Sequence, residues 1–255
     1  MARGKYILRT DADDIALPGM AASLTGFMES HPDYVICGGN MQVIGEKRVF
    51  TYISDNDHLK VFTLNLCPFS HSTVIIRRAA LEEKGLRYNE FYKDGEDHAL
   101  WSELLPYGKF HNLEEVTLLY RESTTQITAS KSYSAGYSAL RRKVFALQGT
   151  RYFGLSAEEA EDYARLITQA EPSGTAELAR MGETMLKALR ANAGNGYFDP
   201  ALLRQSLFVK WHWICLCSYS LGRKVFPVYF RYIAASGNML RLKSLGTHLI
   251  KMIKP

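Results

Sequence analysis

At 255 residues the chain is long enough to bury a core as one large domain or two small ones. Its 47% hydrophobic and 22% charged residues exclude wholesale disorder, and no internal repeat or low-complexity tract interrupts it. The net charge of +5 is unevenly spread. Of the 31 Lys/Arg, nine fall in residues 200–255, where there is no Asp or Glu, so the remainder holds 22 basic against 26 acidic residues.

The elements predicted in chain order begin with "KYILRT", a short buried strand that runs into the carboxylates Asp11, Asp13 and Asp14. "MAASLTGFMESHP" has helical spacing, with Leu24, Phe27 and Met28 on one face and Pro32 closing it. "DYVICGG" and "MQVIGEKRVFTYI" read as two strands, the Gly38–Gly39 pair marking a turn or bulge between them. "HSTVIIRR" is a further strand, "AALEEKG" a short helix ending at Gly85, and residues 54–70 show no readable pattern. In "YKDGEDHALWSELLPYGKF", Leu100, Trp101, Leu104 and Leu105 form a helical face just after Glu96 and Asp97, and "EVTLLYR" is another strand. Strands alternating with helices at this spacing predict an α/β layer structure.

From about Ser130 the pattern is helical. Leu140, Val144 and Leu147 share one stripe, Ser156 and Glu159 form a capping box, and Leu178, Met181, Met185 and Leu189 line a helix that stops near Gly196. The stretch "LLRQSLFVKWHWICLCSYSLGRKVFPVYFRYI" mixes aromatic, apolar and basic residues. Its longest uncharged run, residues 211–222, is shorter than the roughly 18 to 20 residues that span a bilayer. Basic residues among Trp, Tyr and Phe suit an element lying in a membrane interface, or a packed helix whose Lys and Arg snorkel. Nucleic acid is a weaker fit to the same composition. The cysteines Cys37, Cys67, Cys215 and Cys217 show neither metal-ligand spacing nor a disulfide framework, which predicts a reducing cytoplasm. "MARGKYILRT" has no apolar stretch of signal-peptide type.

Three clusters could carry chemistry. Asp11 and Asp13 behind a strand place two carboxylates within reach of one hard cation, Mn²⁺ or Mg²⁺, whose other ligands a diphosphate would supply; a solvated acidic turn is the plainer reading. Glu96 and Asp97 at a helix start either complement the positive helix end or offer a general base. His71, on the approach to a strand, is either structural or part of the same site. An Asp-x-Asp behind a strand also opens haloacid-dehalogenase-type phosphatases, but the continuation Asp14-Ile15-Ala16-Leu17-Pro18 lacks their Thr or Val and their glycine turn.

Taken together, "GKYILRTDADDIALPG", "FMESHPDYVICGG" and "SHSTVIIRRAALEEKGLRYNEFYKDGEDHALWSELLPYGKFHNLEEVTLLYRES" resemble, in this order, a family 2 glycosyltransferase with the Rossmann-like GT-A sheet. The resemblance covers roughly residues 3–128, about half of the chain, and the combination of D-A-D-D, H-S-T, E-D-H-A-L-W and L-L-Y-R carries it. It implies an inverting transfer of a sugar from a nucleotide-diphosphate donor, UDP on family frequency, to a glycan or lipid-linked acceptor in cell-surface polysaccharide synthesis. Carried over, Asp13 and Asp11 match the metal motif, with Asp11 near the ribose or diphosphate. Asp97 matches the base, with Glu96 beside it toward the acceptor. His71 lines the acceptor or diphosphate side, Trp101 packs beneath the base, and Arg121 faces the diphosphate or pairs with a structural carboxylate.

Members of that family open with a nucleotide-binding half of about 60 residues, at some 30 per β–α unit, whereas ten residues precede Asp11 here. The resemblance therefore implies an N-terminally truncated sheet with exposed edges and a tendency to self-associate. It leaves open a non-catalytic remnant that binds a membrane or a partner. The expected organisation is a catalytic α/β region at 1–130, a helical region at 131–198 and a basic aromatic helical tail at 199–255. The protein would be cytoplasmic, on the inner face of the cell membrane, with no role for nucleic acid.

Overall fold

A computed structural model of the chain describes residues 2–122 and 133–236. They fall into two compact units, one ending at Leu140 and the other starting at Arg141. The basic residues Arg241, Lys243, Lys251 and Lys254 of the tail lie outside the described residues.

The first unit is α/β, built on a mixed six-stranded sheet. Its strands are β1 (Tyr6–Leu8), β2 (Ile15–Ala16), β3 (Tyr34–Val43), β4 (Val49–Phe50), β5 (Ile75–Arg77) and β6 (Lys109–Tyr120), and its helices are α1 (Met20–Ser30), α2 (Asn56–Thr63), α3 (Arg78–Lys84) and α4 (Glu96–Leu104). The sheet order is β1-β5-β3-β6-β2, with β4 added to β3 as a hairpin. Only β3 and β6 pair in parallel; every other pairing is antiparallel. Strand β3 is almost wholly buried, as a central strand covered on both faces must be. Leu24 and Met28 of α1 pack with Cys37, Met41, Ile75 and Leu118 into one apolar cluster against the sheet.

The glycine pair in β3 does not divide two strands. The chain runs straight through it, and the register to β6 slips just beyond, at Gly39/Asn40 and Asn40/Met41. The glycines are there for space: a Cβ on Gly38 would lie 2.7 Å from the Phe69 ring, and one on Gly39 would lie 2.6 Å from Thr117. Residues 54–70 contain α2, started by Asp55, whose side chain accepts from the His58 amide. The predicted strand "HSTVIIRR" is shorter than expected, because His71–Thr73 coil into a 3-10 turn before β5.

The second unit is helical: α5 (Tyr133–Phe153) from Arg141 onward, α6 (Ala157–Thr168), α7 (Thr175–Asn195), α8 (Pro200–Cys217) and α9 (Val225–Ala235). Helix α6 starts with the full capping box, Ser156 and Glu159 each bonding the other's backbone amide. Helix α7 buries Leu178, Met181 and Met185, with Leu189 half-buried, and ends at a left-handed Gly196. Asp199 caps α8 through two amides, at Ala201 and Leu202. The rings of Tyr152, Phe153, Tyr163 and Phe198 interlock at one end of this unit.

Candidate active site

The acidic segment 9–14 carries the chain from one edge strand, β1, to the other, β2. The β1–β5 register sets Leu8 across from Ile75, and the Arg9 amide donates to the Val74 carbonyl at 3.0 Å. Two residues further along, that alignment brings Asp11 opposite Ser72, whose hydroxyl donates to Asp11 Oδ2 at 2.6 Å. Arg9 closes an ion pair on the same oxygen and reaches Ser72 Oγ at 3.3 Å. Burial works to raise the Asp11 carboxyl, but the hydrogen bonds from Arg9 and Ser72 and the charge of Arg9 outweigh it and hold it below the ordinary value.

The other end of the segment is fixed by β6. Ile15 pairs with Leu119, and beyond that pair the Arg121 Nε donates to the Asp13 carbonyl at 2.9 Å while the Arg121 amide donates to Asp14 Oδ1 at 3.0 Å. Arg121 thus secures the acidic turn itself. Asp14 Oδ2 is buried with no hydrogen-bond partner among the described residues. Asp13 is exposed, and its carboxylate takes no hydrogen bond or ion pair among the described residues.

Among the described residues no three His, Cys, Asp or Glu gather as a ready-made metal cage. The donor set fits a hard cation of another kind, one held by a single carboxylate with phosphate oxygens and water completing the shell. Asp13 fits that role. Asp11 is committed to Arg9 and Ser72 and would have to exchange those partners to serve as a second ligand.

Helix α4 begins with Gly95 at its N-cap, so Glu96 and Asp97 occupy its first turn and neither caps it. Both favour the positive helix end. Asp97 Oδ1 accepts from the His98 amide at 2.7 Å, and Oδ2 accepts from the Cys67 thiol at 3.3 Å. One turn on, Trp101 is fully buried, and its Nε1 finds no hydrogen-bond partner among the described residues. Its ring meets Phe69, His71 and Tyr88 edge-on, at 6.1, 6.2 and 6.4 Å between centroids.

His71 joins the two carboxylate centres. Its Nε2 lies 2.8 Å from the Tyr88 hydroxyl. Burial pushes the imidazole below its ordinary value; the Asp97 carboxylate pulls it up, Arg9 pushes it down, and Asp11 and Glu96 pull it up again. One ring therefore stands within electrostatic reach of all four groups. Burial also pushes the Tyr88 phenol up to about 12, so it is a neutral hydroxyl at ordinary pH. An open cavity of about 680 Å³ adjoins this point, lined by Tyr88, Asn89, Glu90, Lys93, Asp94 and Glu96.

The structure thus gathers Asp11, His71, Glu96, Asp97 and Trp101 around one region, with Asp13 and Arg121 on the adjoining turn. Sequence reasoning missed Arg9, Ser72, Cys67 and Tyr88. Arg9 could have been found, since it lies two residues before Asp11 and so on the same side of an extended chain. Cys67 and Tyr88 carry no local signal.

No family model matches the sequence. An uncharacterized glycosyltransferase of Haemophilus influenzae is 27% identical over 152 residues, 55% of this chain and 47% of the relative. A second one from that organism is 31% identical over 124 residues, covering 46% and 44%. The amylovoran biosynthesis glycosyltransferase AmsE of Erwinia amylovora is 26% identical over 160 residues, covering 58% and 59%. The chain spans about half the length of these curated relatives. Among solved structures, S. aureus TarS 1-349 in complex with UDP matches with a TM-score of 0.44 at 14% identity, over 84% of this chain and 66% of that one, a likeness too loose to bear on the site.

Proposed function

We propose that this chain carries the catalytic face of an inverting glycosyltransferase of the GT-A, family 2 type, metal-dependent and acting in polysaccharide synthesis. The donor would be a nucleotide-diphosphate sugar, UDP-linked in the first instance, and the acceptor a hydroxyl of a glycan or of a lipid-linked saccharide. The observation that carries this reading is the turn at residues 71–72, where Ser72 bonds Asp11 and the neighbouring His71 ring packs against Trp101 of the helix that begins with Glu96 and Asp97. The names of the relatives support it.

In this mechanism Asp97 accepts the proton of the acceptor hydroxyl. Its two other contacts, the His98 amide and the Cys67 thiol, fix where the carboxylate points. The acceptor oxygen bonds to the anomeric carbon as the bond to the diphosphate breaks, and the nucleoside diphosphate leaves from the opposite face, which inverts the centre. Asp13 would hold a divalent cation, which when bound offsets the charge growing on the leaving diphosphate. Arg121 keeps the turn bearing Asp13 in place, and Glu96 borders the cavity in which an acceptor would sit. Tyr88 and a neutral His71 offer hydrogen bonds between the two carboxylates without adding charge.

Calorimetric titration of the chain with UDP, with and without Mn²⁺, tests the donor half. Manganese-dependent binding that disappears in Asp13→Ala is the expected result. Absence of binding by the folded chain would favour a module that binds partners and transfers nothing. Asp97→Asn tests the chemical half: donor binding should persist while transfer falls by about 10²- to 10⁴-fold. Normal turnover in that variant would remove Asp97 from the role of base.

A further inference from the structure

Helix α8 is apolar on both sides. Leu203, Leu207, Trp211 and Ile214 are buried inside the second unit. At the complementary helical spacing, Leu202, Val209, Trp213 and Leu216 form a second stripe that faces away from them. Val209 is 54% and Trp213 51% exposed, while Leu202 and Leu216 are half-buried. Gln205 and Ser206 interrupt this stripe between Leu202 and Val209, so its continuous apolar part is Val209, Trp213 and Leu216, a patch left uncovered by the rest of the unit's described residues.

The stripe is flanked by a row of rings that crosses to the next helix. Phe208 stacks on His212 at 6.1 Å, and His212 meets Tyr229 of α9 at 5.8 Å, its Nδ1 lying 3.1 Å from the Tyr229 hydroxyl. Tyr229 in turn touches Phe230 at 5.2 Å, and Phe230 is 43% exposed. Basic residues predominate around these rings, with the carboxylate of Glu171 accepting from Ser220 of the α8–α9 turn at 2.8 Å. Residues 200–236 contain Arg204, Lys210, Arg223, Lys224 and Arg231 and no carboxylate. Arg223 and Lys224, in the short turn between α8 and α9, are exposed and have no ion-pair partner among the described residues. Arg231 lies 3.4 Å from Glu183 of α7.

We propose that the outer face of α8, together with the α8–α9 turn, docks on an anionic phospholipid surface. Trp213, Val209 and Leu216 would enter the boundary between headgroups and acyl chains, while Arg223 and Lys224 meet the lipid phosphates. Charge decides among the occupants. A second copy of this chain on the same face would set these cations against themselves, since a two-fold interface pairs a patch with itself. A nucleic acid would satisfy the cations and stack on Trp213 but would leave Leu202, Val209 and Leu216 uncovered. A bilayer surface serves both sets of residues. No helix among the described residues is long and apolar enough to cross a membrane, so the attachment is one that lies on the surface.

Co-sedimentation of the full chain with vesicles tests this, using phosphatidylcholine alone and an equal mixture with phosphatidylglycerol. Binding is expected on the mixed vesicles, weak on the neutral ones and weakened by salt. Val209→Ser with Trp213→Ser, and separately Arg223→Glu with Lys224→Glu, should each lower the partition by about tenfold or more. All four positions are exposed or at an exposed turn, and an unchanged thermal transition would show that the variants fold. Equal binding of wild type and both variants, or binding indifferent to lipid charge, would overturn the proposal. It would equally fall if the chain ignored vesicles while Trp213→Ser converted a dimer to a monomer, or while the basic turn was needed to bind single-stranded DNA.

Discussion

The two units bury polar side chains to different ends. In the α/β unit, Thr63 and Ser102 bond back to their own helices, but most other buried polar groups bridge segments that are far apart in the chain. Asn40 donates to the Glu114 carbonyl at 2.7 Å and accepts from the Tyr52 amide at 2.9 Å. Asn112 donates to the carbonyls of Ile53 and Pro68 at 2.9 and 3.1 Å, and Thr73 accepts from the Gly39 amide. In the helical unit the corresponding groups mostly return to their own helix or its cap: Ser218 to Ile214, Thr184 to Met181, Asn192 to Phe198. Irregular loops have no ladder of their own, so they hold a fixed place only if distant side chains satisfy their carbonyls and amides. The segments carrying Cys67 and His71 are held in this way, through Pro68 and Thr73. Helices satisfy their own backbone, so the second unit can leave most of its fold to apolar packing, with the buried Asp162 paired to Arg180 between α6 and α7 as an exception.

The contrast can be broken by substitution. Asn112→Ala should have the largest effect, about 2–4 kcal/mol of unfolding free energy, because the buried Pro68 carbonyl and the part-buried Ile53 carbonyl lose their donor and a cavity opens. Gly39→Ala should cost about 1–3 kcal/mol, since its Cβ would press on Thr117 from 2.6 Å within a packed sheet. Ser218→Ala, in the helical unit, should cost only about 0.5–1 kcal/mol, because the Ile214 carbonyl it bonds belongs to a helix turn. Urea unfolding of the three variants measures all of these. Equal losses for Asn112→Ala and Ser218→Ala would erase the difference between the units.

The same division governs how much can be seen in the sequence. Helix faces in the second unit are legible because a 3.6-residue period is local; Val144, Leu178, Met181 and Met185 are buried as their spacing implies. The capping box at Ser156 is legible for the same reason. In the first unit, periodicity marks the strands but not their neighbours. The Gly38–Gly39 pair reads as punctuation until Thr117 and Phe69 are seen pressed against it. The residues of the candidate site are visible as clusters of carboxylates and as a histidine. What could not be seen is that Ser72 faces Asp11 and that Cys67 donates to Asp97, because each contact depends on pairing across 61 and 30 residues.

The finest test asks whether the acidic turn and the head of α4 act on one histidine. Burial lowers His71 from 6.5, so its midpoint, followed by the ring-proton chemical shift, should lie below that value. The unfolded chain then binds more protons than the folded one between the depressed midpoint and 6.5. The contribution of neutral His71 to stability is therefore complete above 6.5 and is lost as pH falls through the depressed midpoint. Asp97 pulls that midpoint up and Arg9 pushes it down. Asp97→Asn should accordingly move it further down, and Arg9→Gln should move it back up, two shifts of opposite sign at one proton. A midpoint that ignored either substitution would detach that side from His71, and the long-range polar bonds of the first unit would then hold two separate sites.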